Sequence, residues 1–125
     1  MQFICYPKCS TCRKAKKWLD DNGLEYEERN IAVDNPTKDE LWTWKRMGGH
    51  PTRKFFNTSG LKYKELRLKD KLPGMSDSEM VELLASDGML VKRPILVIDN
   101  FGVLVGFDEE DWNIHLEWFK SLQKK

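Results

Sequence analysis

Two cysteines three positions apart, Cys9 and Cys12, stand where a short apolar segment gives way to an amphipathic one, and this junction constrains the fold most. Residues 1–6 are apolar and aromatic and stop at Pro7, the pattern of a buried first strand. Beyond them Cys12, Ala15, Lys16 and Leu19 recur at helical spacing with Trp18 beside them, and a Ser10 or Thr11 hydroxyl is suited to cap that helix. Asn22-Gly23 supplies a left-handed stop. Residues 24–31 then read as a second strand with Leu24, Tyr26 and Glu28 on one side. The chain therefore opens β-α-β, with the cysteine pair at the strand-to-helix junction.

From Pro36 the pattern becomes helical. Thr37 and Glu40 have capping-box spacing ahead of Leu41, Trp44 and Met47, and Gly48-Gly49 closes that helix. Phe55 and Phe56 lie in a short segment broken at Ser59-Gly60, and residues 61–68 read as a further short helix. Ser76 to Glu79 starts another, with Met80, Leu83 and Leu84 inward and Asp87-Gly88 at its end. Trp42, Trp44, Phe55 and Phe56 are read as core, because aromatics at helical spacing usually are. Residues 95–98 and 103–107 read as a hairpin turning at 99–102, and the acidic run 108–111 opens a last helix whose apolar side is Trp112, Leu116, Phe119 and Leu122. The expectation is one α/β domain over residues 1–125, with 1–35 and 88–125 forming the sheet core and 36–87 a helical insertion.

A helix N-terminus offers unpaired N–H groups and a partial positive charge, and both favour thiolate over thiol. Cys9, the outer of the pair, is the expected nucleophile; Cys12, one turn on, can resolve a mixed disulfide. Lys8, Arg13 and Lys14 add positive charge nearby. A structural zinc site needs about four ligands, and the histidines, His50 and His115, are distant, so no metal is expected. Neither histidine has a neighbour that would make it a catalytic base. Cys5, on the predicted core strand, reads as a small buried hydrophobe.

The 21 basic and 20 acidic residues nearly balance, which argues against a nucleic-acid surface. The local clusters at Lys14, Lys16 and Lys17, and from Lys62 to Lys71, read as solvated faces. No apolar run reaches the length of a membrane span, and no basic segment followed by an apolar core opens the chain. A cytoplasmic monomer is the expectation.

The segments 6–15, 28–31, 53–60, 91–95 and 105–107 together resemble the arsenate-reductase-related family that includes the Spx and MgsR regulators, over nearly the whole chain. That resemblance implies a thioredoxin-like mixed sheet flanked by helices, with the helical insertion between its second and third strands. It also implies a cis-proline at Pro94, shaping a substrate groove with Ser10, Thr11 and Arg13; on the sequence alone, Pro94 equally suits the first residue of a strand in the trans form. The family's arsenate enzymes use one cysteine, matched by Cys9, and three arginines, since a tetrahedral anion is held by charge-assisted hydrogen bonds. Arg93 matches one of these, whereas Asn57 and Phe107 stand at the other two positions. Arsenate is therefore a doubtful substrate.

Cys12, where the arsenate enzymes have a small polar residue, resembles the switch cysteine of Spx, which binds RNA polymerase. The leading expectation is a thiol-disulfide oxidoreductase with Cys9, Cys12 and Arg93 as its catalytic residues. It needs no bound cofactor and takes electrons from glutathione or thioredoxin as an external reductant. The alternative is a redox-sensing regulator bound to the RNA polymerase α-subunit.

Overall fold

The computed structural model describes residues 1–98 and 101–123. Strand β1, Gln2–Cys5, forms from the opening apolar run. Helix α1, Ser10–Asp21, follows it and stops where Gly23 adopts φ +67°. Strand β2 is shorter than the sequence predicts, Glu27–Asn30. Leu24 is spent on ending the helix, its N–H donating to the Leu19 carbonyl, and residues 31–34 turn back on the Asn30 carbonyl. Tyr26 and Glu28 nevertheless face α1 as the alternation requires: the Tyr26 hydroxyl bonds Asp20 at 2.7 Å and Glu28 pairs with Lys16 at 2.9 Å.

Helix α2, Lys38–Gly48, carries the predicted capping box in full and ends at Gly49, φ +63°. Residues 61–68 do not form one helix. They split into α3, Leu61–Glu65, and α4, Leu68–Lys71, around Arg67 at φ +53°. The physical reason is the missing apolar stripe: α3 buries no residue, so nothing holds a longer rod in register, and Leu68 takes the buried position. Helix α5, Asp77–Ser86, has the Ser76/Glu79 box and buries Met80, Val81 and Leu84, with Leu83 only half-buried. Short 3-10 turns at Thr52–Phe55, Leu72–Gly74 and Gly88–Leu90 complete the segment between β2 and the third strand.

Strands β3, Ile95–Ile98, and β4, Gly102–Val105, pair antiparallel, with Ile98 opposite Gly102; Asp99 and Asn100 of the predicted turn lie outside the described residues, as do Lys124 and Lys125. The last helix is two, α6, Glu109–Ile114, and α7, Leu116–Gln123. At the break the His115 ring nitrogen lies 2.8 Å from the Asp111 carbonyl, occupying a group that a continuous helix would use. Among the described residues no helix is long and apolar enough to cross a membrane.

The sheet runs β2-β1-β3-β4, with β1 and β2 parallel and the other pairs antiparallel. Alternation along the strands divides the core in two. Phe3, Cys5, Leu96 and Ile98 pack toward α1, α6 and α7, with Trp18, Leu19, Trp112 and Phe119. Ile4, Ile95, Val97 and Val103 pack toward the helical segment, with Leu41, Trp44, Phe55, Phe56 and Leu84. Arg29 clamps β2 to α2 through Glu40 at 2.7 Å, with Trp44 beneath its guanidinium.

The cap of α1 departs from the sequence expectation. Cys9 itself is the N-cap, with extended backbone and no side-chain cap bond, and Ser10 and Thr11 are exposed in the first turn. A missing cap costs about 1 kcal/mol. Burial of Trp18 and Leu19 contributes roughly 2 kcal/mol each, so the packed face holds this helix without a cap.

Candidate thiol site

The turn that places Cys9 is made by its own N–H, which donates to the Tyr6 carbonyl at 2.9 Å. Its side chain is half-buried and opens on a groove of about 1180 Å³ running between the N-terminus of α1, the segment 54–62 and the loop after β4. Arg93 lines the same groove. Its Nε and Nη1 are buried without a hydrogen-bond partner, and its guanidinium lies 5.1 Å from the Tyr6 ring centre. Buried donors of this kind are ordinarily satisfied, and an anion seated beside Cys9 would satisfy them.

Cys12 lies one turn inside and is 1% exposed. Its sulfur accepts the Tyr6 N–H at 3.2 Å and packs in one cluster with Cys5 and Cys9. The neighbouring Cys5 thiol and then burial push the Cys12 thiol far above the ordinary cysteine range, so at neutral pH it carries its proton. Cys5 moves the other way, chiefly because Cys12 donates to it; burial and the Glu28 carboxylate 3.6 Å away oppose that shift. All three cysteines are free.

The residues singled out from the sequence do not all meet. Cys9, Thr11 and Arg93 share the groove. Ser10 is exposed and lines neither this groove nor the cleft behind it. Arg13 lines that second cleft, of about 450 Å³, with Cys5, Cys12, Lys16 and Glu28. Two residues along a helix lie about 200° apart around its axis, so Thr11 and Arg13 cannot face the same groove. Pro94 is buried and follows a cis peptide bond from Arg93; its carbonyl accepts the Gly106 N–H at 2.8 Å.

Asn57 and Phe107 both line the groove with Cys9 and Arg93. Asn57 is held by its N–H to the Leu90 carbonyl at 2.8 Å, and Phe107 stands edge-on to Trp112 at 4.8 Å. The remaining cations of the groove are Lys54, Lys62 and Lys92, offset by Glu65, Asp87, Asp108 and Asp111. In the sequence Lys62, Asp87, Asp108 and Asp111 carry signals of surface charge or of helix ends, none of which points to a groove. His50 does more than occupy a loop: its Nε2 lies 2.7 Å from the Val103 carbonyl, tying the segment after α2 to β4 at the groove's edge.

Comparison with known proteins shows what the chain and its fold are similar to. The model of the ArsC family matches residues 5–114. The chain is 54% identical over 112 residues to the uncharacterised protein YusI of Bacillus subtilis (strain 168), covering 90% of this chain and 94% of that one. It is 32% identical over 108 residues to the regulatory protein MgsR of the same organism, covering 86% and 83% respectively. A crystal structure from Bacteroides fragilis, described as ArsC family related, superposes with a TM-score of 0.86 at 55% identity, covering 90% of this chain and 96% of that one.

Proposed function

This chain belongs to the ArsC family, and on that premise we propose that it is a thiol-disulfide oxidoreductase of the reducing cytoplasm, working through Cys9 and Cys12. The observation that carries the proposal is the half-buried Cys9 thiol at an uncapped helix N-terminus, packed with Cys12 and sharing its groove with Arg93, whose Nε and Nη1 have no hydrogen-bond partner.

In the first step the Cys9 thiolate attacks one sulfur of a substrate disulfide, forming a mixed disulfide and expelling the other sulfur as thiolate. The free N–H groups of the first turn and Arg93 hold negative charge at that point. In the second step Cys12 loses its proton and attacks Cys9 Sγ, releasing the substrate's second thiol and leaving a Cys9–Cys12 disulfide. An external dithiol or two monothiols, of the thioredoxin or glutathione type, return it to the reduced state. No bound cofactor or metal takes part. Thr11 and Arg93 are the groove contacts, and Pro94 shapes the wall behind Arg93.

Arsenate is not the substrate in this reading. With Asn57 and Phe107 in the groove, Arg93 is the one arginine among the described residues that line it, and one fork cannot enclose a tetrahedral dianion. The test is dithiol-dependent reduction of a disulfide substrate by the wild type and by Cys9→Ser. The variant is expected to lose turnover; retained turnover would overturn the assignment.

A second reading is favoured by the similarity to a regulatory protein. In it, the same dithiol is a switch on a regulator that binds RNA polymerase. Pull-down of the isolated C-terminal domain of the polymerase α-subunit, by the reduced and by the oxidised protein, separates the two. Lack of binding in both states removes the second.

A further inference from the structure

The proposed reaction uses two sulfurs, yet the fold assembles three. Cys5 is 3% exposed at the end of β1, and Cys12 sits against it from α1. Cys12 is the shared neighbour: it packs in one buried cluster with Cys5, and Cys9 packs against that cluster. The two outer sulfurs face different spaces: Cys9 lines the large groove, whereas Cys5 lines the cleft behind it together with Cys12. Parallel pairing of β1 with β2 brings Glu28 beside Cys5, and the Cys5 thiol donates to its Oε1 at 3.6 Å. Lys16 holds the other carboxylate oxygen at 2.9 Å, so Glu28 is fixed at the cleft wall with Oε1 toward Cys5. A small apolar residue would fill the packing role of Cys5, but it would have no use for a carboxylate acceptor at the cleft wall.

From this arrangement we infer that Cys5 is a third redox thiol, which takes Cys12 from the Cys9–Cys12 disulfide and frees Cys9 in the groove. The exchange balances without any outside oxidant or reductant. The Cys5 sulfur, giving its proton to Glu28 and thence to solvent, attacks Cys12 Sγ. The Cys5–Cys12 bond forms, the Cys9–Cys12 bond breaks, and the electron pair leaves on Cys9 as thiolate. The oxidising equivalent then sits on Cys5 and Cys12, and Cys9 is again a free thiolate in the groove. This rests on the dithiol reading above and extends it.

Peptide mapping tests the relay on the intact wild-type chain. Lys8 and Arg13 let trypsin separate Cys5, in residues 1–8, from Cys9 and Cys12, both in residues 9–13. The protein is oxidised with stoichiometric diamide, its free thiols are blocked with N-ethylmaleimide, and the digest is read by mass spectrometry. The relay predicts peptide 1–8 disulfide-linked to peptide 9–13 through Cys12, with the maleimide on Cys9. Cys5→Ala is expected to lose that link and to retain only the disulfide within 9–13. A disulfide within 9–13 and no linked pair in the wild type would overturn the relay and leave the dithiol reading standing. No disulfide of either kind would overturn both.

Discussion

Three helices of this molecule begin in comparable sequence contexts and end up with different N-termini. At α2 and α5, Thr37 with Glu40 and Ser76 with Glu79 satisfy the first-turn donors reciprocally, with bonds of 3.0 to 3.1 Å. At α1 the cap position is a cysteine, and its side chain makes no cap bond. At the two closed ends the N-cap and third-position N–H groups are taken up by side chains. The open end keeps its N–H groups for an anion or thiolate, and the stability forgone there is supplied by Trp18 and Leu19 against the sheet.

Closing the open end is the sharpest way to break that comparison. Cys9→Ser puts a preferred capping hydroxyl where the sulfur was, so turnover is expected to vanish while stability rises by about 1 kcal/mol in a denaturant titration. Opening a closed end should do the reverse. Glu40→Ala removes half of the α2 box and leaves Arg29, whose side chain is only 11% exposed, without its main partner. A loss of about 2 kcal/mol is expected, with disulfide-reducing turnover unchanged at a temperature where the protein stays folded. Ser76→Ala removes a cap with no such partner, and about 1 kcal/mol is expected.

The smallest effect is on the acid limb of the stability curve. Arg29 holds the Glu40 carboxyl below its usual 4.5, and the Ser76 backbone N–H does the same for Glu79. Both carboxyls have lower values folded than unfolded, so their stabilisation is complete above about pH 4.5 and is lost as pH falls through the folded values. Glu40→Ala is expected to flatten stability against pH in that window more than Glu79→Ala, since Glu79 is exposed and screened.

What could be read from the sequence followed local rules. The capping boxes, the glycine stops and the first strand are short-range patterns that lie where spacing puts them, and the hairpin pairing is there too, although its second strand is Gly102–Val105 and not 103–107. Misreadings occurred where tertiary contacts outrank such rules. Serine and threonine outrank cysteine as caps, so local preference points to Ser10 or Thr11, but the Tyr6 carbonyl fixes the turn one residue earlier. The last helix is continuous in its apolar pattern, but His115 divides it by binding the Asp111 carbonyl. Arg13 shares a motif with Cys9 yet faces the second cleft, because helix rotation, not proximity in sequence, decides direction. Burial of Cys5 was legible; its company was not, since its contacts with Cys12 and Glu28 depend on the register of β1 against β2 and on how α1 seats over them.

The central claim is that Cys9 is the attacking sulfur and Cys12 the one that releases the product. Its most direct test is intact mass and peptide mapping of Cys12→Ser after exposure to a disulfide substrate such as oxidised glutathione. The account predicts a stable mixed disulfide on residues 9–13, where Cys9 is then the sole thiol, and rapid loss of that adduct when Cys12 is present. An unmodified Cys9 in the variant, or an adduct that persists equally in the wild type, would contradict it.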